Sequence, residues 1–554
     1  MNFRYYFGLL TAVLCVFSIT IGAAAAGKAN AKDKNPSADE YSKSLATYPY
    51  SYVKNPDEKV TPVVQAGGLT INETNKEYLL DENGKGGRTP SQESNANSMS
   101  KEFGKIVEKF YDIKSGEELE GFLEKYEANF YKETSQADER FFLALILPLR
   151  AFRGIVWRMK PLVEDVGITH SMLLTMVKNS IVNAKLFFPS NSETAFEEYL
   201  TLPFVPDGTA PWNKDQSKQV VLPFNKIAKG GEGQYQSHYM NVVIPALERA
   251  VERLQSFSID PKKVYAFDNS IFSGRGTYPD KANRFVGFGE VERQVALYSL
   301  YAALAELKFN VAYSWNGSLY LNQDIGRLYG WDAAFKSVDE VDGVPASKRN
   351  SAIRNKNYSN WGTLVRTADG NDKLGKDLMV GSFKALEFAL VYAESATKLM
   401  ETRPVREFLL VNTSGAGAFS RWSTERIWNA KRLLSGRVSV ASLVTGEPIE
   451  VNLKAFYENP PKDLKDLYPT APFSEAKKSK MDVKNKDGVV IQKDVPIRDF
   501  LVGSGKNWKI NEDTYKVIFP SLSQNGEDLK KHIRILNQAW AGTGIALAIS
   551  SYVQ

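Results

Sequence analysis

A chain of 554 residues with 43% hydrophobic and 12% aromatic side chains falls in the folded class rather than the disordered one, and its length predicts two or three domains. Its 70 basic and 64 acidic residues leave a formal charge of +6, too thin a bias over this length to indicate nucleic acid as a partner. Cys15 is the only cysteine and lies in the N-terminal apolar run; a chain that loses that run has no thiol nucleophile, no thiolate metal site and no disulfide.

At the N-terminus one base, Arg4, precedes the apolar run 7–21 and the small residues 22–26. Charge, apolar stretch and small-residue cleavage site are the parts of a secretory signal peptide in their usual order. The alternative is an uncleaved anchor, because 7–26 is close to the ~20 residues a spanning helix needs. Under either reading everything after 26 is exported, to a periplasmic or extracellular location, and the only predicted membrane contact is that leader. Its removal takes away Arg4 and no acid, so +6 becomes +5.

Residues 27–97 are rich in Lys, Asn, Ser, Gly and Asp and lack sustained periodicity. They read as an extended segment whose short islands, Tyr48-Pro49-Tyr50 and 60–64, strap onto a folded body. From 98 the pattern turns helical: Phe103, Ile106, Val107 and Phe110, then Leu119, Phe122, Leu123 and Tyr126, recur at i, i+3, i+4 and i+7, which predicts a helical hairpin. Ser135 is the expected cap of a third helix, with Asp138 as its box partner. The run 141–149 is apolar on every side, so that helix is expected to be covered by neighbours. Helices over 172–188 and 195–202 complete a first domain, 98–205.

Several Pro and Gly residues after Pro203 suggest a boundary, and a central helical domain is predicted over 206–435. Tyr239, Val243, Leu247, Val251 and Leu254 form one stripe, with a kink expected at Pro245. The strongest helical signal is 290–315, followed by 383–400 and 421–434. The last of these ends on Lys431 and Arg432 with Gly436 beyond, as a helix C-terminus should. A C-terminal region, 436–554, changes period. Ile449 to Tyr457 alternates apolar and polar opposite 438–444, which predicts a hairpin; Asp487-Gly488 turns a second one; Tyr515 to Phe519 reads as a short strand; and 527–552 closes the chain as a helix. The fold class expected is therefore mainly α, an irregular, solenoid-like bundle of helical hairpins with small β-hairpin elements in the C-terminal third. No fixed repeat period emerges.

The chemistry-bearing motifs are sparse. His170, His238 and His532 lie far apart with no second ligand at helical spacing, so neither a metal nor a cofactor is expected. Gly503-Ser504-Gly505-Lys506 lacks the earlier glycine and the hydroxyl residue of a phosphate loop. Residues 408–411 followed by a small-residue loop and a helix start near Ser420 could offer backbone N–H groups to an anion, with Ser414, Gly415 and Gly417 as the candidates against a plain turn. The lysine run 477–486 has no aromatic residue between its bases, as a nucleic-acid strip would require; it reads as a solvated loop, with docking to an anionic surface as the remaining alternative. The densest mixture of aromatic and polar residues is 313–331. There Trp315, Tyr320, Asp324, Arg327 and Trp331 are the candidates for a sugar or peptide groove, against the alternative that they fill a helix corner.

These readings favour an exported, non-catalytic binding or scaffold protein of the cell envelope or extracellular space, with a protein, peptide or glycan partner. The competing expectation is a cell-wall or polysaccharide-cleaving enzyme of α/α type, whose paired carboxylates would come from Asp324, Asp332, Glu290 and Glu292.

Overall fold

The computed structural model describes Tyr52–Lys54 and residues 101–540 except 135, 165–168, 184–192, 203–222, 227–230, 260–264, 269–284, 320–360, 368–369, 402–426, 443–444, 468–477, 485–486, 488, 497–509 and 524–525. Those residues are mainly helical, with three small antiparallel sheets, as the periodicity predicts.

Six helices open the body: α1 (Lys101–Asp112), α2 (Gly116–Glu133), α3 (Ala137–Ile146), α4 (Ile155–Glu164), α5 (His170–Asn183) and α6 (Glu193–Thr201). Both predicted stripes of α1 and α2 are buried, and the two helices meet through Phe110 and Phe122, ring centroids 5.6 Å apart. Ser115 caps α2, its Oγ accepting from Glu118 N at 3.2 Å. Gly116 comes next because α6 passes so close that a Cβ there would lie 2.8 Å from the Tyr199 amide nitrogen. The third helix starts one residue later than expected. Gln136 is its N-cap, and Glu139 Oε2, not Asp138, reaches back to the Gln136 amide at 3.4 Å. All residues from 141 to 152 are buried, running from α3 into the 3-10 turn Leu147–Phe152.

Next come α7 (Gly231–His238) and α8 (Ile244–Gln255), joined by a π turn over Tyr239–Val243. Pro245 has no N–H to give to the Asn241 carbonyl, and the widened turn absorbs the missing bond. The irregularity expected at Pro245 thus takes the form of an extra residue just before it. After the hairpin β2 (Tyr265–Asp268) and β3 (Phe285–Phe288), which periodicity did not reveal, the long α9 (Glu290–Val311) packs antiparallel to α10 (Lys373–Glu401). Ser382 Oγ on α10 donates to the Ala305 carbonyl on α9 at 2.6 Å.

A helix over 427–434 ends before Gly436, whose φ of +124° suits glycine. The chain then forms the predicted hairpin of β4 (Arg437–Ala441) and β5 (Pro448–Asn452). An edge of this sheet is taken by β1 (Tyr52–Lys54), with Val53 opposite Val440. The N-terminal segment thus does strap onto the body at Tyr52–Lys54, while the Tyr48-Pro49-Tyr50 island and 60–64 lie outside the described residues. Alternation overstated β5. Asn452 Oδ1 accepts from Ala455 N at 3.1 Å and starts α11 (Leu453–Glu458), which buries Leu453, Phe456 and Tyr457 at helical spacing. The segment expected as a strand at 515–519 is also a correction: Asn511 caps α12 (Glu512–Ile518), and Tyr515 and Ile518 are three apart on its buried side. The second expected hairpin does form, β6 (Lys478–Lys484) with β7 (Val490–Pro496), and Asp487 lies in its turn, while Gly488 is outside the described residues. The lysine run expected as a loop supplies β6. Finally α13 covers Gly526–Trp540.

Buried apolar residues form two clusters. The first takes α1–α8, much of α9 and Ala385 of α10. The second begins at Ala312, just past α9, and adds Trp361, Met379 and Phe383 of α10, the β4–β5 sheet and α11–α13. The expected division at 205/206 separates no cores, since Tyr199 and Leu200 before it and Tyr235 and Leu247 after it share the first cluster.

Candidate functional surface

Two places in the described structure gather polar and aromatic chemistry: a closed one around α7 and an open one on α8, α9 and α10. Helix α7 reads Gly-Glu-Gly-Gln-Tyr-Gln-Ser-His and has no apolar stripe, yet Glu232, Tyr235, Gln236 and His238 are all buried. Such a helix survives inside only if each polar group finds a partner. Glu232 accepts from the amides of Gly317 and Leu319, the latter at 2.7 Å, and from Ser318 Oγ at 2.9 Å. Gln236 Nε2 donates to the carbonyls of Val311 and Tyr313 at 2.9 and 2.8 Å, while its Oε1 accepts from Trp315 N at 3.1 Å. His238 Nε2 donates to the Ala151 carbonyl at 2.9 Å, which leaves Nδ1 to accept from Arg158 Nη1 at 2.9 Å and fixes the tautomer.

Burial sets the protonation of these groups. Enclosure pushes the Glu232 carboxyl up to about 7 although its three donors pull it down. The same cause, joined by the Arg158 charge, pushes His238 down to about 3. Arg158 itself is lowered to about 10 by burial and lies over the Phe224 ring at 4.2 Å. Glu232 is a carboxylate with the proton affinity of a general acid, but its position makes it the anchor of the 315–319 turn.

This network decides the place of Trp315. The indole is 2% exposed, its Nε1 donates to the Asn310 carbonyl at 3.0 Å, and its ring packs on Tyr235 and Tyr239 at 5.6 and 5.5 Å. Trp315 is thus a core residue and not the wall of an open groove. Tyr320, Asp324, Arg327 and Trp331, and equally Ser414, Gly415 and Gly417, lie outside the described residues, as does Asp332. Glu290 and Glu292 are turned inward at the start of α9. Glu290 Oε2 accepts from Arg293 Nε at 2.8 Å and from the Ile259 amide at 3.0 Å, and Glu292 from the Gly289 amide at 2.9 Å. They close a helix end rather than face a cleft.

The open place was missed. Tyr301 of α9 lies nearly parallel to Phe388 and Tyr392 of α10, with centroids 5.2 and 5.5 Å away at interplanar angles of 27° and 12°. Gln255, at the end of α8, donates through Nε2 to the Tyr301 and Tyr392 hydroxyls at 3.1 and 2.7 Å. Partial burial raises the Tyr301 hydroxyl above its ordinary range, and the Gln255 donor opposes the rise. Phe388 remains 49% exposed and Val391, one turn on, 52%. Alongside runs the outer stripe of α8, Glu248, Glu252 and Gln255, all exposed. Glu248 holds Lys308 at 2.7 Å. The available signal was α10 itself, where 388–392 is apolar around more of the helix than one neighbour covers.

Among the described residues no group of three or more His, Cys, Asp or Glu is arranged to hold a metal ion, and no helix is long and apolar enough to cross a membrane. Comparison of the chain with protein-family models, with curated proteins and with solved structures returns no match.

Proposed function

We propose that this is an exported, non-catalytic binding or scaffold protein that meets its partner on the outer face of α8, α9 and α10. The observation that carries the reading is the three-ring stack of Tyr301, Phe388 and Tyr392, held in place by Gln255 and open to solvent at Phe388 and Val391. Rings with two rotatable angles, already locked by stacking, add contact area at little entropic cost, and tyrosine hydroxyls beside an amide supply orientation. Exposed aromatic residues of this kind mark interaction surfaces more often than isolated exposed aliphatics do.

The test is the double substitution Phe388→Ser with Val391→Ser, both at exposed positions. Its stability should fall by about 0.5–1.5 kcal/mol, the worth of the one stacked ring pair it loses, with the fold retained. Binding to soluble glycan and peptide arrays should fall at least tenfold against the parent. Equal binding by the two proteins would discard the α9–α10 face as the contact. Export is tested separately by mass spectrometry of the secreted chain, where an N-terminus near residue 27 is expected and an intact Met1 would favour the anchor.

A further inference from the structure

A second feature stands apart from the aromatic face. The β6–β7 hairpin pairs only with itself among the described residues, and two-stranded hairpins alone are marginal in water. Among the described side chains its exposed large apolar residues lie beside the turn: Val489, Val490 and Ile491 are 57%, 49% and 44% exposed, and the register sets Val483 opposite Ile491 and Lys484 opposite Val490. Bases mark the rest. Lys478, Lys480 and Lys484 occupy alternate positions of β6, and Lys493 lies in β7 opposite Met481. Across 477–496 six lysines outweigh three aspartates.

We propose that this hairpin is a membrane-surface contact that dips its turn-proximal valines and isoleucine into an anionic lipid bilayer, adding to any held by the leader. Charge names the occupant first: a net positive hairpin suits an anionic surface. Geometry then separates lipid from protein. Successive strand residues point to opposite faces, so Val490 and its neighbours Val489 and Ile491 expose apolar surface on both sides of the strand. A protein groove would cover one side, whereas the interfacial zone of a bilayer surrounds the tip. Nucleic acid fits poorly, since 477–496 contains no aromatic residue to stack on bases.

The experiment uses the exported protein with Val490→Cys in a Cys15→Ser background, labelled with an environment-sensitive dye, and vesicles of phosphatidylcholine alone or mixed with phosphatidylglycerol. The mixed vesicles should shift the dye emission to the blue and the neutral ones should not. The same dye at exposed Glu458→Cys should stay unchanged. Lys480→Gln with Lys484→Gln should weaken partitioning by roughly tenfold or more, from about 1 kcal/mol per lysine near the surface. Substituting Ser for Val489, Val490 and Ile491 together should abolish vesicle co-sedimentation beyond what the leader sustains, with circular dichroism confirming the fold. An unshifted dye on anionic vesicles overturns the proposal, as does an equal shift at 458. A shift that needs lipid-free envelope protein instead of vesicles assigns the hairpin to a protein partner and also overturns it.

Discussion

In water glutamate releases its proton near pH 4.5 and histidine near 6.5, but along α7 the order is reversed, with Glu232 at about 7 and His238 at about 3. The signs follow from linkage. Glu232 holds its proton longer in the folded chain, so its contribution to stability is complete below pH 4.5 and is lost as pH rises through 7. For His238 the unfolded chain is the one that takes up the proton, so its contribution is complete above pH 6.5 and is lost as pH falls toward 3. Between 4.5 and 6.5 the two proton counts cancel on folding. The expected outcome is that, relative to the parent, Glu232→Gln makes stability rise with pH across this window while His238→Gln makes it fall. Chemical denaturation at several pH values reads both. Parallel profiles for the two variants would contradict the assignment. At acidic pH the Gln at 232 should also cost about 1–3 kcal/mol, because one of its two amide atoms cannot accept from the turn.

Trp315 sets the limit of what residue types reveal on their own. Its neighbours in sequence suggested a ligand groove, yet an indole needs one acceptor and a large apolar surround wherever it lies, and the Asn310 carbonyl with Tyr235 and Tyr239 supplies both. Trp315→Ala should therefore lower stability by about 3–5 kcal/mol, measured by urea unfolding, and leave glycan and peptide binding of the surviving folded fraction unchanged. The exposed ring stack was illegible for the converse reason. Tyr301, Phe388 and Tyr392 come from two helices, and no spacing within one chain segment shows that two helices will align their rings.

At the scale of elements, periodicity succeeded where one face meets one core, as in α1, α2 and the body of α9. It failed where a short segment satisfies both periods. Residues 449–455 alternate for seven positions, but Leu453, Phe456 and Tyr457 also sit at i, i+3 and i+4, and the Asn452 side chain decides for a helix by capping it. Tyr515 and Ile518 pose the same ambiguity, and Asn511 resolves it with Oδ1 accepting from Thr514 N at 3.3 Å. Each cap is expected to be worth about 0.5–2 kcal/mol. Asn452→Ala and Asn511→Ala should both lower the unfolding free energy by that amount, read in urea as a lower midpoint at unchanged slope, whereas Asn→Gly should lower it far less.

For the whole molecule, periodicity was enough to give a mainly helical fold, but not how the cores divide. Pro and Gly residues after 203 look like a domain linker, yet packing carries the first core across them. The actual seam lies where α9 ends, and α10 contributes Ala385 to one cluster and Met379 and Phe383 to the other. Cores with a wall in common should melt together. With fluorinated tryptophan, the resonances of Trp315 in the first core and Trp361 in the second should vanish at one urea concentration. Two separate midpoints would show that α10 does not couple them.

The pairing of β1 with β4 has a consequence for biosynthesis. A ribosome delivers Tyr52–Lys54 early and Arg437–Ala441 late, at a pace of ~5–20 residues per second, so the first strand to emerge waits on the order of tens of seconds for its neighbour to be made. During that interval its amides can pair with any strand edge within reach, which makes this early segment the place where chaperone engagement, or mispairing between nascent chains, should be sought.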